Sequence, residues 1–489
     1  MKRFAFEQLK SWKESPNRKP LVIRGARQVG KTWLMKEFGE KEYRNSVYLN
    51  FDENPGYANL FEDSLQPKRI ISLIELLTEQ KIDEGETLVI FDEVQEAPRA
   101  LSALKYFCEQ APGYHIMCAG SLLGIALHRG TSFPVGKVDF LQLSPLSFNE
   151  FLLAMEKGKL VSVLDGAFAG GRGFESAALR VGSSSDGLGG IASSAGASFD
   201  GLESATPFAG GDSPDSAGLS AVMLFKPELV EALRQYYVVG GMPEVVAGFA
   251  QDGSFRQARA IQSRILQAYE QDFSKHAPAA QVPKIRAVFN SVAAQLSKEN
   301  KKFVYGLLRQ GARAKEYETA IMWLCDCGIL RRVGRVAALR KPLKAYEDPK
   351  AFKLYFLDIG LLSGLCGLDE RTVFGRDAMF SEFKGALSEQ FVCQQIGART
   401  GLAPCYYSNG KSTCEVDFVI DRDGEVVPVE VKAETNLKAK SLKSVHEKFG
   451  ISHALRVSMS DYREEDWIAN VPLYALSRGC RERGDASRQ

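Results

Sequence analysis

A chain of 489 residues has room for about three domains at roughly 100–200 residues each. With 45% hydrophobic and 25% charged residues it is globular material, and 62 Lys+Arg against 60 Asp+Glu leave a net charge of only +2, so no partner class follows from overall charge. No apolar run nears the roughly 18 residues of a transmembrane helix, the opening residues lack a signal-peptide core, and the nine cysteines form no CxxC pair, which excludes membrane and disulfide-scaffold classes and predicts a reducing, cytoplasmic setting.

The first element in chain order is the apolar run Leu21-Val22-Ile23, followed by Gly25, Ala26, Arg27, Gln28, Val29, Gly30, Lys31 and Thr32. Those eight residues form a complete GxxxxGK[ST] loop between a predicted strand and a predicted helix beginning near Trp33. Backbone N–H groups and the helix N-terminus make such a loop an anion site, which predicts ATP as its ligand. Lys31 is expected to reach the β- and γ-phosphates, and the Thr32 hydroxyl to ligate Mg²⁺.

Thr87-Leu-Val-Ile-Phe-Asp92-Glu93 reads as a buried strand ending in two carboxylates. Asp92 is expected to hold Mg²⁺ through water, and Glu93 to orient or deprotonate the attacking water. His115 to Ser121 is a further buried strand. Its terminal Ser121 is open to two readings, a γ-phosphate sensor that positions water or a simple strand-end serine. Segments 46–51 and 137–143 complete five strands with intervening helices, predicting a doubly wound parallel sheet of α/β class.

Composition changes abruptly from Gly166 to Ser220, where 13 Gly and 11 Ser occur in 55 residues without Lys, Tyr or Trp. Such a stretch buries too little apolar surface to offset its ordering entropy, so a disordered insertion is expected over 161–221.

The segments GARQVGKT, VIFDEVQEAP, AGSLLGIALHRGTSFPVGKV, LSPLSFNEF and YYVVGGMPEVV resemble a prokaryotic AAA-type P-loop ATPase family. Its members carry an uncharacterised C-terminal domain similar to the PD-(D/E)XK nuclease superfamily. The resemblance implies an ATPase core over 1–160, with the Ser121 strand between those of Lys31 and Asp92. It also implies a helical lid over 222–282, where a helical stretch breaks at Gly240-Gly241-Met242-Pro243. No catalytic arginine is assignable: Arg129 stands where one could be supplied, but a surface arginine is the stronger reading.

From Lys284 to Lys353 there are 16 Lys+Arg against 6 Asp+Glu. This concentration is the footprint of a polyanion partner such as DNA. Three predicted helices (285–296, 303–310 and 313–326), a strand from Ile329 and a basic loop to Lys344 look like a winged helix over 283–372. The competing reading is a packing unit with a solvated strand edge at Arg331, Arg332 and Arg335.

In the last region, residues 373–480, two alternating runs flank Asp423-Gly424, a preferred two-residue hairpin turn. Centring the hairpin there pairs Arg422 with Glu425, Ile420 with Val427, Phe418 with Val429 and Val416 with Val431. The last three pairs form one apolar face, and the other carries Asp417 opposite Glu430 and Glu415 opposite Lys432. Carboxylates at roughly 5 Å Cα–Cα repel unless a cation or proton joins them. On the preceding helix Glu389 lines up with Ala386, Cys393 and Ile396, a buried line on which a carboxylate needs a partner.

The D-x(12)-E-x-K spacing is similar to the PD-(D/E)XK hairpin, with Val416 in place of the proline. That resemblance implies a restriction-endonuclease-like α/β domain with Glu389 as first acidic ligand. Mg²⁺ would lie on Glu389, Asp417 and Glu430, with Glu430 and Lys432 serving phosphodiester cleavage. The alternative is a structural hairpin with surface ion pairs. Two functions therefore stand open: an ATPase driving DNA-binding or nuclease-like domains, and a nucleotide-switched binding protein with an inactive nuclease-like domain.

Overall fold

The computed structural model describes residues 1–120, 134–168, 216–298, 301–374, 378–400, 404–410, 413–422, 424–435 and 437–476. The N-terminal part alternates α1 (Ala5–Glu14), β1 (Leu21–Arg24), α2 (Lys31–Glu42), β2 (Asn45–Asn50), α3 (Pro67–Thr78), β3 (Thr87–Asp92) and α4 (Pro98–Gln110). Strands β4 (His115–Ala119) and β5 (Asp139–Gln142) complete a five-stranded sheet in the order β2-β3-β4-β1-β5. Every pairing in it is parallel, and β4 lies between β1 and β3 as expected. Successive side chains point to opposite faces. Leu21 and Ile23 therefore join one core while Val22 joins another, built on α3 and α4. Both faces are covered, which is why these strands read as unbroken apolar runs.

Next come α5 (Phe148–Ala154) and α6 (Gly158–Phe168). The expected insertion over 161–221 needs correction at both ends. Helix α6 buries Val161, Leu164 and Phe168, so its apolar stripe outweighs the local glycine content. Helix α7 (Ser216–Leu224) packs against it closely enough that a Cβ on Gly218 would lie 2.7 Å from the Ala167 Cα. The remainder of the insertion, 169–215, lies outside the described residues.

Helices α8 (Lys226–Val239), α9 (Pro243–Asp252) and α10 (Phe255–His276) follow. The break at Gly240-Gly241 falls where expected, and Gly240 has φ +75°. Then come α11 (Val282–Leu296), α12 (Ala314–Asp326), β6 (Leu330–Val336) and β7 (Glu347–Phe356). The helix expected over 303–310 is only a 3-10 turn, Tyr305–Leu307. The β6–β7 hairpin is not a free wing, because β6 pairs with β8 (Cys405–Ser408) of the C-terminal sheet. Val333 on one face and Leu354 and Phe356 on the other all join the large core, so both faces of the hairpin are held by burial.

Helices α13 (Ile359–Leu365), α14 (Glu370–Phe374) and α15 (Ala378–Thr400) precede β8. The chain then continues through β9 (Glu415–Arg422), β10 (Glu425–Val431), α16 (Lys440–Phe449), β11 (Ala454–Ser458), β12 (Arg463–Glu464) and β13 (Ile468–Pro472). The eight strands run β12-β13-β11-β10-β9-β8-β6-β7, with β10, β11 and β13 parallel. Within the β9–β10 hairpin the predicted register holds from Arg422–Glu425 to Phe418–Val429. Among the described residues no helix is long and apolar enough to cross a membrane, and every cysteine is free.

Candidate functional site

The loop Gly25–Thr32 links β1 to α2, and three of its residues hold positive φ: Gly25 at +152°, Gln28 at +64° and Gly30 at +91°. Glycine is needed at Gly25 for space as well, since a Cβ there would stand 2.3 Å from the Leu143 carbonyl oxygen. Lys31 opens α2 with its side chain folded back, its ammonium donating to the carbonyls of Gly25 (3.0 Å) and Ala26 (2.8 Å). Burial pushes that ammonium down to about 8, against the opposing pull of Glu93 and Asp92.

At the end of β3, Asp92 Oδ2 accepts from the Thr32 hydroxyl at 2.6 Å and from the Tyr48 hydroxyl at 2.9 Å. A hydroxyl and a carboxylate meeting this way are the hard oxygen donors that Mg²⁺ prefers, so these residues fit the cation. Glu93 follows with φ +49°, and Gln95 donates to its Oε2 at 2.6 Å. The loop, Asp92 and Glu93 are thus brought together as expected. Ser121 and Arg129 lie outside the described residues.

Helix α10 touches the loop directly. Tyr269 on α10 donates to the Arg27 carbonyl at 2.9 Å, and the Arg27 side chain pairs with Asp272. His276 Nε2 is 3.2 Å from the same guanidinium, and burial together with Arg27 lowers its pKa. Arg27, expected to meet nucleotide, is therefore held by α10. No motif marked Asp272 or His276, since their partner is over 240 residues away.

The C-terminal residues assemble differently. Glu389 on α15 is buried, with Lys301 Nζ at 2.5 Å, Lys353 Nζ at 3.7 Å and the Tyr355 hydroxyl donating at 2.9 Å. Burial works to raise its pKa, but the two lysines hold it below the usual carboxylate range. Lys353 also pairs with Glu415 at 2.6 Å, which displaces the expected Glu415–Lys432 pair. Asp417 accepts from the Val431 N–H at 2.8 Å, and burial plus neighbouring Glu389 push it up to about 7.

Val416 packs with Val419, Leu442 and Val445, on the side opposite Phe418 and Ile420. Strict alternation thus fails at Asp417, which corrects the predicted Val416–Val431 face pair. Glu430 is buried and takes Lys432 at 2.6 Å on one oxygen, leaving the other without a hydrogen bond. Among the described residues no three His, Cys, Asp or Glu side chains gather as a metal-binding group. Glu389 and Asp417 meet around lysines, and Glu430 is engaged by Lys432.

Much of the basic charge is likewise spent internally. Arg335 pairs with Asp348 at 2.7 Å and Lys341 with Asp421 at 3.0 Å. Arg331 donates to the Cys393 carbonyl at 2.8 Å and Arg332 to that of Pro349 at 2.6 Å.

Residues 17–152 match the family described as an AAA domain. Residues 230–372 and 384–476 match two domains of unknown function, DUF8612 and DUF4143. No curated protein matches the chain. Among solved structures it is similar to the Walker-type ATPase PABY2304 of Pyrococcus abyssi, at 13% identity and TM-score 0.39, covering 74% of this chain and 94% of that one. It is also similar to the ORC1 protein of Aeropyrum pernix in complex with DNA (10% identity, TM-score 0.25, 74% and 90% covered). A third similarity is to PCH-2 of C. elegans (16% identity, TM-score 0.21, 33% and 47% covered).

Proposed function

We propose that this chain, which carries an AAA-type P-loop ATPase domain, binds and hydrolyses ATP with Mg²⁺ and passes its nucleotide state through the lid to the C-terminal sheet. The observation that carries the reading is the contact of Thr32 with Asp92 at 2.6 Å beside the buried Lys31 ammonium. Gly25 to Thr32 would cradle the phosphates with backbone N–H groups, and Lys31 would supply positive charge to them. Thr32 and Asp92 would hold Mg²⁺, which supplies charge neutralisation at the phosphates when bound. Glu93, whose carboxylate accepts from Gln95, would take a proton from water, and Ser121 would position that water. Nucleotide at the loop would bear on Arg27, and so on Asp272 and His276 of α10.

For the C-terminal domain, the lysines on Glu389 favour the second reading, a nuclease-like domain that is structural and does not cleave. A buried carboxylate already neutralised by two ammonium groups has little left to offer a divalent cation. DNA remains the proposed partner for the exposed basic residues Lys315, Lys344 and Lys350.

Turnover of full-length protein with Mg-ATP tests the ATPase reading. Glu93→Gln is expected to keep nucleotide binding and lose turnover about a hundredfold or more, whereas Lys31→Ala weakens binding itself. Undiminished turnover in both variants rejects it. Incubating plasmid with Mg²⁺ or Mn²⁺ tests the second part: cleavage that disappears in Asp417→Ala would make the domain a nuclease.

A further inference from the structure

A buried arginine outside every motif bonds the phosphate loop. Arg3 precedes α1 and is only 7% exposed. Each of its three guanidinium nitrogens has its own acceptor: Nη1 donates to the Val29 carbonyl (3.0 Å), Nη2 to the Ser144 carbonyl (2.6 Å) and Nε to Glu150 (3.1 Å). Three segments remote in sequence thus converge on one planar group. Glu150 is itself immobilised, accepting from the N–H groups of Phe4 and Ser147, each at 2.8 Å, and from the Ser147 hydroxyl at 3.0 Å. The position of the guanidinium is therefore over-determined.

The consequence lies in the Val29–Gly30 peptide. A trans peptide is planar, and its C=O and N–H point in opposite directions. With the Val29 carbonyl held on Arg3, the Gly30 N–H must point away from Arg3. Gly30 sits at φ +91°, in a region glycine enters and leaves at little steric cost, so the loop does not lock this peptide by itself. A flipped peptide would present a carbonyl oxygen where an anion needs a donor. Glu150 balances the charge of Arg3, so its contribution is orientation rather than long-range attraction.

We propose that Arg3 is a positioning residue for polyphosphate binding, holding the Val29–Gly30 peptide with its N–H turned toward the nucleotide. The inference rests on the ATPase reading above. Lysine keeps the charge but offers one nitrogen in place of three, so Arg3→Lys separates geometry from electrostatics.

The test compares Mg-ATP KM and kcat of full-length wild type, Arg3→Lys and Glu150→Gln, well below each variant's Tm. Glu150→Gln preserves the size of the side chain while loosening its hold on Arg3. The expected result is a KM raised about tenfold or more in Arg3→Lys, with a smaller rise in Glu150→Gln. A purely structural role would instead reduce the active fraction, lowering kcat at unchanged KM. Unchanged KM in folded variants overturns the proposal while leaving the ATPase reading intact. Loss of the fold in both variants makes Arg3 a framework residue and also overturns it. Absence of ATP binding in the wild type overturns the ATPase reading and this inference together.

Discussion

The backbone N–H of Phe148 donates to Oε1 of Gln395 at 3.0 Å, so the first turn of α5 is bonded directly to the long C-terminal helix α15. Around this bond the Tyr236 hydroxyl accepts from Gln394 at 3.0 Å and Gln395 at 3.3 Å. Gln394 also donates to Asp358 at 2.9 Å, which in turn accepts from the Gly241 N–H at 2.7 Å. Buried polar groups are costly unless paired, and each of these is paired across what the sequence presents as separate regions. Helix α5, the glycine break between α8 and α9 and the C-terminal helix are joined here by hydrogen bonds as well as by a shared apolar core.

Replacing Gln395 by Leu removes the acceptor of a buried N–H while keeping apolar volume. The expected loss is about 1–3 kcal/mol. A lowered urea midpoint at unchanged slope checks it.

Lys353 is 1% exposed and serves both Glu389 and Glu415. Lys353→Met takes a buried ammonium from Glu389, which keeps Lys301 and Tyr355, and from the partly exposed Glu415, at a cost of about 3–5 kcal/mol. The exposed Lys443–Glu447 pair, 3.9 Å apart, provides the contrast, and Lys443→Ala is expected to change stability by less than about 0.5 kcal/mol. Thermal denaturation of the two variants side by side measures the difference.

Asp417 is held up to about 7 by burial and by Glu389, whereas its ordinary value is 3.8. Between those values the folded chain holds a proton that the unfolded chain has released. Stability from this group is therefore fully present below about pH 4 and is lost as pH rises through about 7. Asp417→Asn is expected to flatten this decline and to raise Tm most at pH 8. Calorimetric scans from pH 5 to 8 decide it; an equally steep decline in the variant contradicts the assignment.

Lys31 is lowered to about 8 by burial. A bound polyanion favours the charged ammonium and raises that value again. Nucleotide binding above about pH 8 is therefore expected to take up a proton, and affinity to fall as pH climbs further. Titration calorimetry at pH 8.5 in buffers of different ionisation enthalpy detects the uptake, which vanishes at pH 6.5.

Much of the architecture is legible along the chain because its causes are local. The loop from Gly25 to Thr32 is one contiguous piece of backbone between two regular elements, and four apolar residues before Asp92 announce a strand covered on both faces. The β9–β10 register is readable because Asp-Gly sets the turn and period-two alternation carries it outward as far as Phe418–Val429. The reading fails one step further, at Asp417, where the pull of the Val431 N–H and the charges on α15 and β7 compete with the pleat. The β6–β7 hairpin escapes for a related reason: local sequence marks the two strands but not the remote β8 edge on which β6 pairs.

From its sequence alone this protein has a phosphate-binding loop, a carboxylate-ended strand beside it, and an acidic hairpin after a helix bearing Glu389. Those follow from spacing, since backbone geometry over a few residues is nearly independent of the rest of the chain. Tertiary structure alone decides that Lys301 and Lys353 neutralise Glu389, that Arg27 belongs to α10, and that Arg3 reaches the Val29 carbonyl. Charges and hydrogen bonds act through space, and their partners here lie 26 to 245 residues apart. Only the closing of the whole chain brings them within a few ångströms and removes the water that would otherwise screen them.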